Sequence, residues 1–187
     1  MQSEDPSLLP PLASGAPAET PEGLLARLAA LGIAAETVHH PPLHTVAESK
    51  SLRGSLPGAH AKNLFLRPRE AGPFILAVLE EDRRLSINAL LRQLGAPRGQ
   101  LAPPEALWAE LGVRPGSVTP FGLVNARPGR VRVAIDRALL EGVERVHFHP
   151  LVNTATTALA PDGLLRFLRA LGHAPEVLDL PPPAPAG

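Results

Sequence analysis

Glycine and proline cut this chain into short pieces. Sixteen Gly and twenty-three Pro are spread through its 187 residues. Glycine tolerates turn conformations, and proline lacks the N–H that helices and sheets use, so both end regular elements. The apolar runs between them stay far below the ~20 residues that a membrane span needs. The expected molecule is built from many short elements around one core. The length suits one compact domain and is too short for two ordinary ones.

Thr20-Pro21-Glu22-Gly23 opens a helix, with Thr20 as N-cap and Pro21 at the first helical position. Leu24, Leu25, Leu28 and Leu31 share one face, and Gly32 ends it. Ala35–His39 reads as a strand stopped by Pro41-Pro42. Thr45–Leu52 reads as a second helix with Glu48 completing a capping box. Asn63–Arg67 and Phe74–Leu79 flank a Pro68–Pro73 turn and predict a hairpin. Ser86–Leu94 and Pro103–Leu111 are helical, ended by Gly95 and Gly112. Leu123-Val124 and Val131–Ile135 flank Arg127-Pro128-Gly129, a second hairpin signal. Val146–His149, Thr156–Leu159 and Val177–Leu180 read as strands, and Pro161–Leu171 as an amphipathic helix. There is no internal repeat and no regular βα alternation. The expected fold class is α/β, a single domain with a mixed β-sheet and surrounding helices.

Residues 1–19, rich in Pro, Ser, Ala and Gly, read as a flexible leader. Residues 181–187, mostly Pro and Ala, read as a Pro-rich tail. The folded domain is expected over 20–180. There is no Cys, which excludes disulfides, thiolate nucleophiles and Cys-based zinc sites. No secretory signal precedes the domain, and a cytoplasmic location is expected. Formal net charge is zero. A protein that coats nucleic acid is usually basic, so any RNA contact should be small and local.

Only two Lys, Lys50 and Lys62, stand against sixteen Arg, and there are four Asn. A Lys kept in an Arg-rich chain either marks a place where the guanidinium shape would fail or is there by chance. Three polar segments interrupt the apolar pattern. In 58–66, Lys62 and Asn63 stand at the mouth of an apolar strand; an ammonium there can hold a phosphate or an ester carbonyl. The alternative is an ordinary solubilising charge at a sheet edge. In 112–122, Gly and Pro recur, which lets backbone amides approach a ligand or simply makes a turn. In 147–157, His147 and His149 would share one strand face, followed by Asn153, Thr154, Thr156 and Thr157. His39, His40, His44, His147 and His149 could hold a metal, but no HExxH-type spacing is present. Ser117 lies in GSVTP rather than GxSxG, which argues against a serine nucleophile.

Together these segments resemble the YbaK-like aminoacyl-tRNA deacylase family, and most its free-standing alanyl-tRNA(Pro) deacylase branch of prolyl-tRNA synthetase-associated domains. The resemblance rests on Leu52-Arg53-Gly54, Leu56-Pro57-Gly58, Lys62-Asn63-Leu64-Phe65-Leu66, Leu111-Gly112-Val113 and Pro115–Phe121. It continues through Phe148-His149-Pro150-Leu151-Val152-Asn153-Thr154-Ala155-Thr156-Thr157 and spans about residues 20–180. It implies hydrolysis of mischarged alanyl-tRNA(Pro), with no metal and no organic cofactor. It implies Lys62, Gly116, Ser117 and His149 as catalytic, and Asn63, Pro120, Asn153 and Thr154 as substrate-binding. The GxxxP element maps onto Gly116 and Pro120, with the amides of Gly116 and Ser117 facing the reacting carbonyl. The implied partners are a tRNA acceptor end, held by arginines such as Arg53, Arg67 or Arg69, and prolyl-tRNA synthetase; no membrane is implied. Deacylation of cysteinyl- or seryl-tRNA, or a non-catalytic aminoacyl-tRNA binding module, are the alternatives.

Overall fold

One mixed eight-stranded sheet organises the structure, a computed structural model that describes residues 10–42, 56–96 and 98–180. The elements in chain order are α1 (Pro21–Ala30), β1 (Ala35–His39), β2 (Ala59–Pro68), β3 (Phe74–Glu80), α2 (Ile87–Gln93), β4 (Gly99–Leu101), α3 (Pro104–Leu111), β5 (Val131–Asp136), β6 (Val146–Phe148), β7 (Ala155–Leu159), α4 (Pro161–Ala170) and β8 (Glu176–Leu178). The sheet order is β1-β7-β6-β2-β3-β5-β8, with β4 also on β2. The helix expected over Thr45–Leu52 lies outside the described residues.

The caps form as their chemistry dictates. Thr20 Oγ1 accepts from Gly23 N at 3.0 Å, and Ser86 Oγ accepts from Ala89 N at 3.2 Å. β2 and β3 form the expected antiparallel hairpin. Alternation along β2 divides two cores. Ala59, Ala61 and Phe65 join the larger one, with Leu24 and Leu28 of α1, Leu107 and Leu111 of α3, and Phe167 of α4. Leu64 and Leu66 join the smaller one, with Leu90, Leu91 and Leu94 around α2.

The second hairpin does not form. Pro120–Val124 is a 3₁₀ helix, and β5 instead runs parallel to both β3 and β8. Pro120 suits a helical start, and Thr119 Oγ1 accepts from Phe121 N at 3.3 Å. Pro120, Phe121, Gly122 and Leu123 are all buried, which a half-exposed hairpin strand would not allow.

The leader, expected to run loosely to residue 19, is anchored over 10–19. Leu12 is buried, Ala13 N donates to Ala109 O at 2.7 Å, and Trp108 Nε1 donates to Pro10 O at 2.7 Å. Glu19 N donates to Asn125 Oδ1 at 2.8 Å. A few apolar and backbone contacts fix a segment whose composition alone reads as loose.

Candidate functional site

β6 lies parallel to β2 at two positions, Ala59 beside Val146 and His60 beside His147. Two residues farther along each chain stand Lys62 and His149. Parallel pairing and the two-residue period give both the same side of the sheet as His60 and His147. Glu36, Thr156 and Ala158 belong to that side by register. Lys62 therefore lies within β2, not at its mouth. It is half-buried and makes no ion pair with any described residue.

β6 ends at Phe148, so His149 stands just past the strand, and the two histidines have different surroundings. His147 Nε2 donates to Pro57 O at 3.0 Å, and its ring stacks on His60. Burial, the first cause, pushes the His147 imidazole below its ordinary pKa of 6.5. His149 Nδ1 donates to Ala155 O at 2.9 Å. In the neutral ring that bond leaves the lone pair on Nε2, the tautomer a general base needs. The His40 ring lies 6.3 Å away, held by Pro41 O and the Thr156 hydroxyl.

Asn63 leaves the opposite side of β2 and is not a neighbour of Lys62 across one surface. Its Nδ2 donates to Val118 O at 3.0 Å, while its Oδ1 is buried with no partner among the described residues. Between His60 and Leu66 the edge of β2 pairs with neither β6 nor β4. The Gly112–Pro120 loop comes in here, and Asn63 ties it down. Gly116 has φ of +89°, which a side chain would strain. A Cβ there would sit 3.9 Å from Asn153 Nδ2, so Gly116 and Asn153 face each other.

The Ser117 amide, expected to face the reacting carbonyl, takes part in the turn. That N–H already donates to Arg114 O at 3.0 Å within the turn. Ser117 itself is buried and lines a cleft of about 530 Å³ with Asn153, Trp108, Val113 and Arg114. Lys62 and His149 do not line this cleft. Pro120 is buried as the first residue of the 3₁₀ turn. Thr154 is exposed, and its carbonyl accepts from His40 N at 2.9 Å, extending the β1–β7 pairing.

Arg67 and Arg69 line a second hollow of about 500 Å³ with Asn88, Arg98 and Gln100. The sequence reading missed Arg98, whose carbonyl accepts from Arg69 N at 2.9 Å. It also missed Trp108, which only the folded chain brings next to the Gly116 loop. Arg53 and His44 lie outside the described residues. Among the described residues no three His, Asp or Glu side chains converge as a metal site, and no helix is long and apolar enough to cross a membrane.

A mixed sheet that sets a Lys on one strand and a His just past the end of its parallel neighbour, beside a Gly-Pro loop, suits an aminoacyl-tRNA editing domain. Residues 40–167 match that family, and the chain belongs to it. Over 165 residues it is 40% identical to prolyl-tRNA synthetase associated domain-containing protein 1 of Bos taurus, covering 87% of this chain and 96% of that one. It is 28% identical over 159 residues to the prolyl-tRNA editing protein ProX of Acetoanaerobium sticklandii, covering 85% and 96%. A solved structure described as a candidate trans-editing enzyme for prolyl-tRNA synthetase superposes with a TM-score of 0.62 at 21% identity, covering 86% and 97%. At that identity the likeness is one of fold.

Proposed function

We propose that this chain is a trans-editing hydrolase that removes alanine from mischarged alanyl-tRNA(Pro). The observation that carries the reading is the placement of Lys62 on β2 and of His149 just past the end of β6, each two residues beyond the paired His60 and His147. Kinship with an editing family supports hydrolysis of an aminoacyl ester as the reaction. The name of ProX points to proline tRNA as the carrier.

An aminoacyl ester is already activated, so the task is to position water and stabilise the oxyanion. Lys62 anchors the ester carbonyl or the adjoining phosphate. His149 Nε2 orients the attacking water and takes up its proton, helped by the substrate's own neighbouring ribose hydroxyl. Water oxygen bonds to the carbonyl carbon, the ester C–O bond breaks, and the ribose oxygen leaves with a proton. The products are free alanine and uncharged tRNA. The Gly116 amide faces the reacting group; Ser117 contributes its hydroxyl and wall position rather than its amide. Asn63, Pro120, Asn153 and Thr154 hold this frame.

Selectivity for alanine rests on excluding the larger proline ring. Serine adds one hydroxyl and cysteine one thiol, so some leakage toward both is expected. Arg67, Arg69 and Arg98 supply charge for acceptor-stem phosphates. Prolyl-tRNA synthetase is the natural source of the mischarged substrate. The test is deacylation of proline tRNA carrying alanine beside the same tRNA carrying proline. Rapid loss of alanine alone supports the reading; persistence of both overturns it.

A further inference from the structure

We infer that the cleft beside the Gly116 loop binds the unpaired nucleotides that precede the esterified one at the tRNA 3′ end, with a base stacked on Trp108. The inference rests on the tRNA substrate class proposed above. Four observations carry it.

The first is continuity. Ser117 and Asn153 form one wall of the cleft, and Asn153 faces Gly116. An RNA whose acyl end reaches the Gly116 loop must leave past these residues, and the cleft begins there. The second is size. At about 530 Å³ the cleft falls within the ~300–1,000 Å³ range of small-ligand sites, with room for a nucleotide.

The third is the aromatic inventory. The chain has no Tyr, five Phe and a single Trp. Phe65, Phe121, Phe148 and Phe167 are buried, and Phe74 stacks on Phe65. Phe74 and Trp108 are both half-exposed, and of the two Trp108 lines this cleft. Its Nε1–H is committed to Pro10 O, which fixes the ring and leaves only its π-face to offer. A π-face stacks any base, the mode by which proteins hold single strands without reading sequence.

The fourth is charge. Arg114 lines the same cleft, and its positive charge favours the phosphates joining these nucleotides. The acid that lines it, Glu19, is paired with Arg27 at 3.1 Å, which lessens its repulsion of RNA.

The single Trp is also its own reporter. An uncharged RNA hairpin of the proline acceptor stem, with its unpaired 3′ tail, is titrated into the full chain while Trp fluorescence is read. The same hairpin without the tail is run beside it. Quenching by the tailed RNA alone is expected. Equal quenching by both, or binding by anisotropy with no change in Trp emission, overturns the inference. Trp108→Leu should weaken binding of the tailed RNA by roughly five- to a hundredfold, the span of one lost base stack. Trp108→Phe, which keeps a π-face but loses the bond to Pro10, should retain most of the affinity. Equal losses in both variants would assign Trp108 a merely structural role. In deacylation, Trp108→Leu should raise KM and leave kcat nearly unchanged. Tail-dependent quenching without ester hydrolysis would leave this site standing and overturn the proposed activity; hydrolysis without quenching would do the reverse.

Discussion

The rings of His60 and His147 stack at 4.6 Å and 9° from parallel, side by side on β2 and β6. Both donate Nε2–H to backbone carbonyls, His60 to Leu56 and His147 to Pro57. The pair thereby pins the entry of β2 just ahead of Lys62. His147 Nδ1 is buried and has no partner among the described residues, so a proton there would find no acceptor among them.

This pair makes stability depend on pH. The folded-state pKa of His147 is lowered from 6.5, by burial first and by His60 and Arg145 to a lesser degree. His173 is lowered too, again chiefly by burial. Below about pH 6.5 the unfolded chain takes up protons that the folded chain refuses, so stability is full above that pH and falls as pH drops. Thermal melts at pH 7.5 and 5.0 should show a lower Tm at pH 5.0. His147→Gln should shrink the difference, and an unchanged difference would contradict the assignment.

A second prediction concerns the ends of β3 and β5. Arg83 Nε and Nη2 donate to the two oxygens of Asp136 at 2.6 and 3.1 Å, and both side chains are buried. Asp136 also accepts from Glu80 N and Ala138 N. Asp136→Ala removes the carboxylate that takes two hydrogen bonds from the buried Arg83 guanidinium and should cost about 3–5 kcal/mol in urea denaturation. A loss below about 1 kcal/mol would show that water replaces the carboxylate.

The link from Asn63 to Val118 gives a third. Asp cannot donate, so Asn63→Asp turns an attraction toward the Val118 carbonyl into repulsion. The loop should loosen and deacylation should fall by tenfold or more. Hydrogen exchange at residues 112–119 should rise while the β3 and β5 amides keep their protection. Unchanged activity would remove the loop from the site.

Gly116 gives a fourth. At φ +89° an Ala is strained by roughly 1–3 kcal/mol, although its Cβ would meet nothing closer than Asn153 Nδ2 at 3.9 Å. Gly116→Ala should lower Tm by only a few degrees and reduce turnover by tenfold or more. Equal effects on a distant exposed positive-φ glycine, Gly129→Ala, would contradict a role in the site.

Where neighbours in sequence decide the outcome, the sequence is readable. Thr20 and Ser86 cap their helices with the third residue onward, and the Phe74–Leu79 run makes a central strand. The segments of the candidate site were visible as polar interruptions of an apolar chain. Their arrangement was not. Asn63 meets Val118 across 55 positions, and Arg83 meets Asp136 across 53. Neither partner has a local cue that names the other. Ser117 is instructive: a Gly-Pro loop advertises accessible amides, and this one donates within its own turn. Trp108 was missed, since its value lies in what the anchored leader and the Gly116 loop build around it.

The central claim is that Lys62 and His149 together hydrolyse an alanyl ester. Single-turnover deacylation of proline tRNA carrying alanine, proline, serine or cysteine, with wild type, Lys62→Ala and His149→Ala, tests it most directly. The account predicts fast loss of alanine, retention of proline, and slower loss of serine and cysteine. It predicts that each substitution lowers the alanine rate by a hundredfold or more, with Tm little changed. Wild-type turnover in Lys62→Ala, or alanine retained by the wild-type enzyme, would contradict it.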